Sequence, residues 1–255
     1  MKTSLFLFCA VISLSFNLKT QGQTVDEELM KAQALYKEGK PEEATKIYLG
    51  LMEKYPKNRE AVQGWLIVNM KRVPTGELDA IKQLEELELK YPDNTGILFF
   101  KAFIQAEYNQ MDDVLKSTEK LIALEPEDGL NWLLRGQVLE GAGRNEEALT
   151  AYQKSTTLAP ENADSWHNLA GLHAKTGQFD EAIFCFNKAV DLAPNQPVFI
   201  YNRGCCYCRK GDKANALADL QKAVSMNPQF KSHAQTDTDF QSLWEDADFK
   251  KIVGL

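Results

Sequence analysis

The sequence predicts an all-α chain, a solenoid of stacked helical hairpins with a C-terminal cap, and three observations carry that expectation. Pro56, Pro92, Pro126, Pro160, Pro194 and Pro228 are spaced by 36, 34, 34, 34 and 34 residues, and the text between them is self-similar. A fixed period of that length marks a repeat array. Within one period apolar residues recur at helical spacing twice: in 163–196, Trp166, Leu169, Ala170 and His173 share one helix face, and Phe179, Ala182, Ile183, Phe186 and Val190 share another. Between the two faces lies Lys175-Thr-Gly-Gln178, where Gly177 suits the left-handed conformation that ends a helix.

Taken in order, the repeats are 25–58, 59–94, 95–128, 129–162, 163–196 and 197–230. Asn58, Asn94, Asp128 and Asn162 stand just before the second to fifth first helices, where a side-chain oxygen accepts an orphan helix N–H. Pro197 opens the sixth, in a turn where its missing N–H costs nothing. Gly39, Asn109, Gly143, Gly177 and Gly211 close the first helices of the other repeats, while the second reads Met70-Lys-Arg-Val-Pro-Thr-Gly76 and holds the two extra residues of the longer period. That stretch is a lengthened surface turn or a partner-contact loop. In each second helix a small residue sits twelve before the proline, as Ala44, Ala80, Ala148, Ala182 and Ala216, with Tyr48, Leu84, Tyr152, Phe186 and Leu220 four residues on. The third repeat departs at both places, with Val114 and Thr118. Ala32, Ala102, Gly136, Ala170 and Gly204 form a small row in the first helices, so two helices can approach closely there. After the last repeat, Phe240, Leu243, Trp244, Phe249 and Ile252 supply one apolar face of a final helical segment within 231–255, either a cap on the open end or a docking element.

The joint recurrence of small, aromatic and proline places over Val25–Phe230 resembles the tetratricopeptide repeat. That resemblance implies a right-handed superhelical solenoid whose first helices line a concave groove for a protein or peptide. AQTDTDFQSLWEDADFKKIV is similar to a tail that follows the last repeat in bacterial members. A rotation of about 100° from the core stripe of each first helix brings up the groove positions that the resemblance implies. They are Leu29, Gln33 and Tyr36, then Gln63, Ile67 and Met70, then Phe99 and Phe103, then Leu133, Gln137 and Glu140, then His167 and Gly171, then Tyr201, Cys205 and Cys208. Ile67, Met70, Phe99, Phe103 and Leu133 make an uncharged stripe with three readings: extra core, a surface for an extended or helical peptide, or self-association into a homo-oligomer. Asn168 and Asn202 match a common family asparagine, but the lysine and asparagine pairs that clamp a chaperone's C-terminal carboxylate are missing, which argues against a cytosolic co-chaperone.

Residues 1–22 read as a cleavable signal peptide. Lys2 precedes an apolar run from Ser4 to Phe16, too short to span a bilayer, and Thr20 and Gly22 suit the small places before a cut that leaves Gln23 first. A retained N-terminal anchor is the alternative. Cys9 lies inside the apolar run after Phe8, against a lipid-anchored cysteine. Cleavage removes Lys2 and Lys19 and no acid, which takes the formal net charge from −7 to −9. An acidic body with only the isolated pairs Lys71-Arg72 and Arg209-Lys210 argues against a nucleic-acid ligand.

Four cysteines follow the signal segment: Cys185, Cys205, Cys206 and Cys208. Cys205 and Cys208 share a helix face with no second ligand pair at metal spacing, so small apolar packing residues, a disulfide or a weakly supported zinc site are the readings, in that order. The chain has no phosphate-cradling glycine loop, nucleophile elbow or metal-spaced histidine pair, and His173 reads as a packed, hydrogen-bonded imidazole in line with Tyr207. The sequence therefore predicts a non-enzymatic scaffold without a cofactor or metal, exported to a bacterial periplasm or secreted. It binds a protein or peptide through its groove and has no membrane span after cleavage. A cytosolic or membrane-tethered adaptor is the second reading and an enzyme of unrecognised class the third.

Overall fold

The computed structural model describes residues 23–70, 78–108 and 110–255, all of it helix or short connection with no strand among those residues. Residues 1–22, expected to be a signal peptide, the extra residues of the second repeat and Asn109 lie outside the described residues. Two compact units are present, the first ending at Pro126 and the second running from Glu127 to Leu255. The division falls after the third repeat, the one that carries Val114 and Thr118 at its closest-approach places.

In the first unit, α1 (Gln23–Lys37) and α2 (Pro41–Lys54) pack as one hairpin, and α5 (Thr95–Glu107) and α6 (Met111–Leu124) as another. Between them, α3 (Arg59–Met70) packs on α1, α2 and α5, while α4 (Leu78–Lys90) packs on α5. Thus α5 joins the two helices of the lengthened second repeat. Its start is held by Asn94, which accepts from the Ile97 N–H at 3.0 Å and donates through Nδ2 to the Met52 carbonyl at 3.0 Å. In the third repeat Val114 and Thr118 are fully buried, and a buried polar pair, Ser117 Oγ and Gln105 Oε1 at 3.1 Å, ties α6 to α5.

The second unit holds three hairpins: α7 (Gly129–Gly141) with α8 (Asn145–Leu158), α9 (Ala163–Lys175) with α10 (Phe179–Leu192), and α11 (Pro197–Lys210) with α12 (Lys213–Met226). The expected caps are in place: the Asp128 carboxylate accepts from Leu130 N–H and the Asn162 amide oxygen from Ser165 N–H, each at 2.8 Å. Pro197 stands in the first turn of α11. Helices α8 and α10 have no side-chain cap and start instead on Glu146-Glu147 and Asp180-Glu181, where negative charge meets the positive end of the helix dipole. Gly143, Gly177 and Gly211 take φ of 75°, 79° and 87°, so each hairpin turns on a left-handed residue.

The C-terminal segment is three short pieces rather than one helix: α13 (Phe230–Ala234), a 3-10 helix (Thr238–Leu243) and α14 (Ala247–Val253). Asp237 and Asp246 break it, each accepting from backbone N–H groups that start the next piece. The 3-10 helix packs on α11, and α13 and α14 pack on α12. Phe240 and Phe249 are fully buried there, with Trp244 and Ile252 partly buried against the same core. Leu243, Ala234 and Val253 are buried in the same cluster.

Close approach at the small positions is direct. A Cβ on Gly136 would lie 2.4 Å from two ring carbons of the fully buried Tyr152, whose hydroxyl donates to Glu140 at 2.9 Å. A Cβ on Gly171 would meet nothing within 4 Å. We therefore expect opposite signs from one substitution type in urea melts. Gly136→Ala destabilises, because overpacking costs about 1–3 kcal/mol against a helix gain of about 0.5–1. Gly171→Ala stabilises by about 0.5–1 kcal/mol. Shifts of the same sign would contradict this repeat register.

Candidate functional site

The first-helix positions singled out from the sequence separate into two rows. Within each unit the first row packs against neighbouring helices. Phe99 is 8% exposed, edge-on to Phe100 at 5.6 Å, with the Arg59 guanidinium 4.2 Å over its ring. Leu29 and Leu133 are buried as well. His167 on α9 stacks on Phe199 of α11 with ring centroids 4.6 Å apart and tilts against Phe186 of α10 at 5.6 Å. Tyr201 repeats that arrangement one hairpin later: it is 2% exposed, stacks on Phe230 at 4.6 Å and donates its hydroxyl to Asp237 at 2.7 Å. Phe99, Leu133 and Tyr201 are thus corrected from groove residues to packing residues. Helical spacing gives the direction a side chain takes and says nothing of what covers it.

The second row is open. In the first unit Ile67 and Phe103 are half-buried and Gln33 is exposed, and the side chain of Met70 lies outside the described part. In the second unit Gln137 is exposed, Gly171 is half-buried, and Glu140 meets Lys175 at 3.6 Å. The row ends at α11, where Cys205 and Cys208 are each 6% exposed beneath the C-terminal segment.

Electrostatics divide the same way. Burial lowers the His167 imidazole to about 4. Its Nε2 therefore accepts from Asn202 Nδ2 at 3.0 Å, which leaves the ring proton on Nδ1. Arg203 grips Asp219 through two bonds of 2.7 Å and reaches Asn187 at 2.8 Å, tying α11 to α12 and α10. The four cysteines among the described residues are free thiols, and burial raises each of them, Cys185 to about 11 and Cys206 to about 12. That environment suits packing and disfavours nucleophilic chemistry. His173 keeps its expected hydrogen bond, to Gln178 at 2.6 Å, but is only half-buried. Among the described residues no group of three or more His, Cys, Asp or Glu is arranged to hold a metal ion, and no helix is long and apolar enough to cross a membrane.

Sequence reasoning missed Arg59. It is 4% exposed and 3.8 Å from Glu125, and as a charged residue just after a cap it reads as solvated. Nothing local signals that an aromatic ring and a carboxylate cover it.

Tetratricopeptide repeat family models match residues 28–58, 129–195 and 197–230. The chain belongs to the tetratricopeptide repeat family. The unmatched stretch holds the lengthened second repeat and the degenerate third. Among solved structures, a tetratricopeptide repeat protein from Parabacteroides merdae ATCC 43184 aligns over 91% of this chain and 98% of its own, at 18% identity and a TM-score of 0.58. MamA aligns over 63% and 94%, at 20% identity and a TM-score of 0.56. YrrB, described as having an unusual peptide-binding site, aligns over 82% and 91%, at 18% identity and a TM-score of 0.50. At such identities the likeness is one of fold. No curated protein matches the chain.

The depressed His167 fixes a pH dependence. The unfolded imidazole titrates near 6.5 and the folded one near 4, so the unfolded chain binds the extra proton between those values. Stability contributed by neutral His167 is present above pH 6.5 and is lost as pH falls toward 4, by on the order of 1–3 kcal/mol. Urea midpoints measured from pH 7 to pH 4.5 should fall more steeply for the native chain than for His167→Gln. Parallel profiles would contradict the neutral buried assignment.

Proposed function

We propose that the chain is an exported, non-enzymatic scaffold that holds a segment of a protein partner on the open face of its first helices. The observation that carries this reading is the accessible row itself. Ile67 and Phe103 in the first unit are apolar, uncharged and half-buried, at positions one turn beyond the packed row, so part of each side chain is left for a partner. YrrB, of the same fold, has a peptide-binding site, which favours the peptide reading over self-association. Export rests on the leader-like segment 1–22, and the acidic balance stands against a nucleic-acid ligand.

The test is capture with the chain purified from its native host. Its intact mass should start near Gln23, about 2.5 kDa below the full translation at roughly 110 Da per residue. Retention of Met1 or Lys2 would favour the cytosolic or membrane-tethered adaptor. An Ile67→Gln/Phe103→Gln chain should stay folded by circular dichroism yet capture the native partner about tenfold less or worse, because apolar and aromatic anchors dominate interface energies. Phe99→Ala should instead cost about 3–5 kcal/mol of stability as a buried aromatic. Undiminished capture by the folded double variant would refute the surface.

A further inference from the structure

The end of the open row contains chemistry that binding does not use. Cys205 and Cys208 are three residues apart on one face of α11. In the two preceding hairpins of the same unit, the corresponding first-helix positions are the exposed Gln137, the half-buried Gly171, and the half-buried Glu140 and Ala174. What buries the two thiols is therefore the C-terminal segment, and they form part of its dock. Cys208 Sγ lies 3.3 Å from Ser242 Oγ, and Cys205 Sγ lies 3.8 Å from Asp237 Oδ2, the same oxygen that accepts the Tyr201 hydroxyl at 2.7 Å.

We propose that this pair and the C-terminal segment form a redox-sensitive latch: the segment docks on α11 while both thiols are reduced, and closure of a Cys205–Cys208 disulfide releases it. Residues three apart on a helix have Cβ atoms about 5–6 Å from one another, whereas a disulfide draws them to about 3.5–4.5 Å. Bridging tightens that turn of α11 and turns both sulfurs toward each other, away from Asp237 and Ser242. It acts one turn from Tyr201, on which Phe230 and Phe240 rest. The exchange balances with a small disulfide as oxidant. One cysteine thiolate attacks it and expels a thiol, then the second cysteine attacks the mixed disulfide and expels another, so two cysteine thiols become one S–S bond and the oxidant leaves as two thiols carrying the two protons. The docked segment shields both sulfurs, so the oxidant acts on chains whose segment has transiently lifted. Cys206 on the same helix and Cys185 on α10 are buried at 3% and 4% and serve as internal controls.

The full chain is treated with oxidised glutathione, its disulfide mapped by peptide mass, and digested with chymotrypsin, which cuts after the docked Phe240, Trp244 and Phe249. The latch predicts a 205–208 bridge, a mass lower by two hydrogens with no glutathione attached, and segment cleavage faster by about tenfold or more, returning to the slow rate after reduction with dithiothreitol. Cys205→Ala/Cys208→Ala should be cleaved at one rate with or without oxidant. A bridged chain cleaved at the reduced rate, no bridge at these positions, or an accelerated rate that reduction does not reverse would each overturn the proposal. The reversal arm uses the native chain alone, so it stands even if the double variant folds poorly.

Discussion

The stacked hairpins depend on one constraint: a helical hairpin of 34 residues has more apolar surface than its own two helices can cover, and a neighbour buries the remainder. Ala44, Ala148, Ala182 and Ala216 are fully buried because they stand where the two helices of a hairpin, and then the next hairpin, come closest. Gly136 takes this to its limit by giving its side-chain space to the Tyr152 ring. The same constraint explains why the last hairpin requires a lid. The C-terminal segment stands in for a missing neighbour so closely that Tyr201 meets Phe230 and Asp237 much as His167 meets Phe199 and Asn202.

The proposed function draws on what this constraint leaves over. Within each unit the first helices pack one row of these residues and leave the next row, one turn on, less covered. In the first unit the accessible row includes Ile67 and Phe103. In the second it carries Gln137 and the Glu140–Lys175 pair, a polar surface with different chemistry. The row closes at Cys205 and Cys208, so the cap that completes the core also sets where the second unit's open face ends.

Much of this was legible in the sequence because its signals are local. The prolines, the Asn58, Asn94, Asp128 and Asn162 caps and the hairpin glycines act within a few residues of themselves, so pattern and geometry agree. The degenerate third repeat was visible as Val114 and Thr118. What was hidden depends on distant cover. Tyr201 looks like a groove residue until Phe230 and Asp237, about thirty residues later, close over it. Arg59 looks solvated until Phe99 and Glu125 enclose it. The final segment looks like one helix because its apolar spacing is helical, yet Asp237 and Asp246 bond to backbone N–H groups and restart it twice.

Nearest-neighbour burial is tested most directly by native-state hydrogen exchange on a chain with its lid loosened. Phe240 is fully buried, its ring against Tyr201 of α11 and Phe249 of the C-terminal segment. In Phe240→Ala, the account predicts that amide protection falls most in α11 and α12, less in α9 and α10, and least in α7 and α8. A uniform loss across all three hairpins, or a loss larger in α7 than in α11, would contradict it.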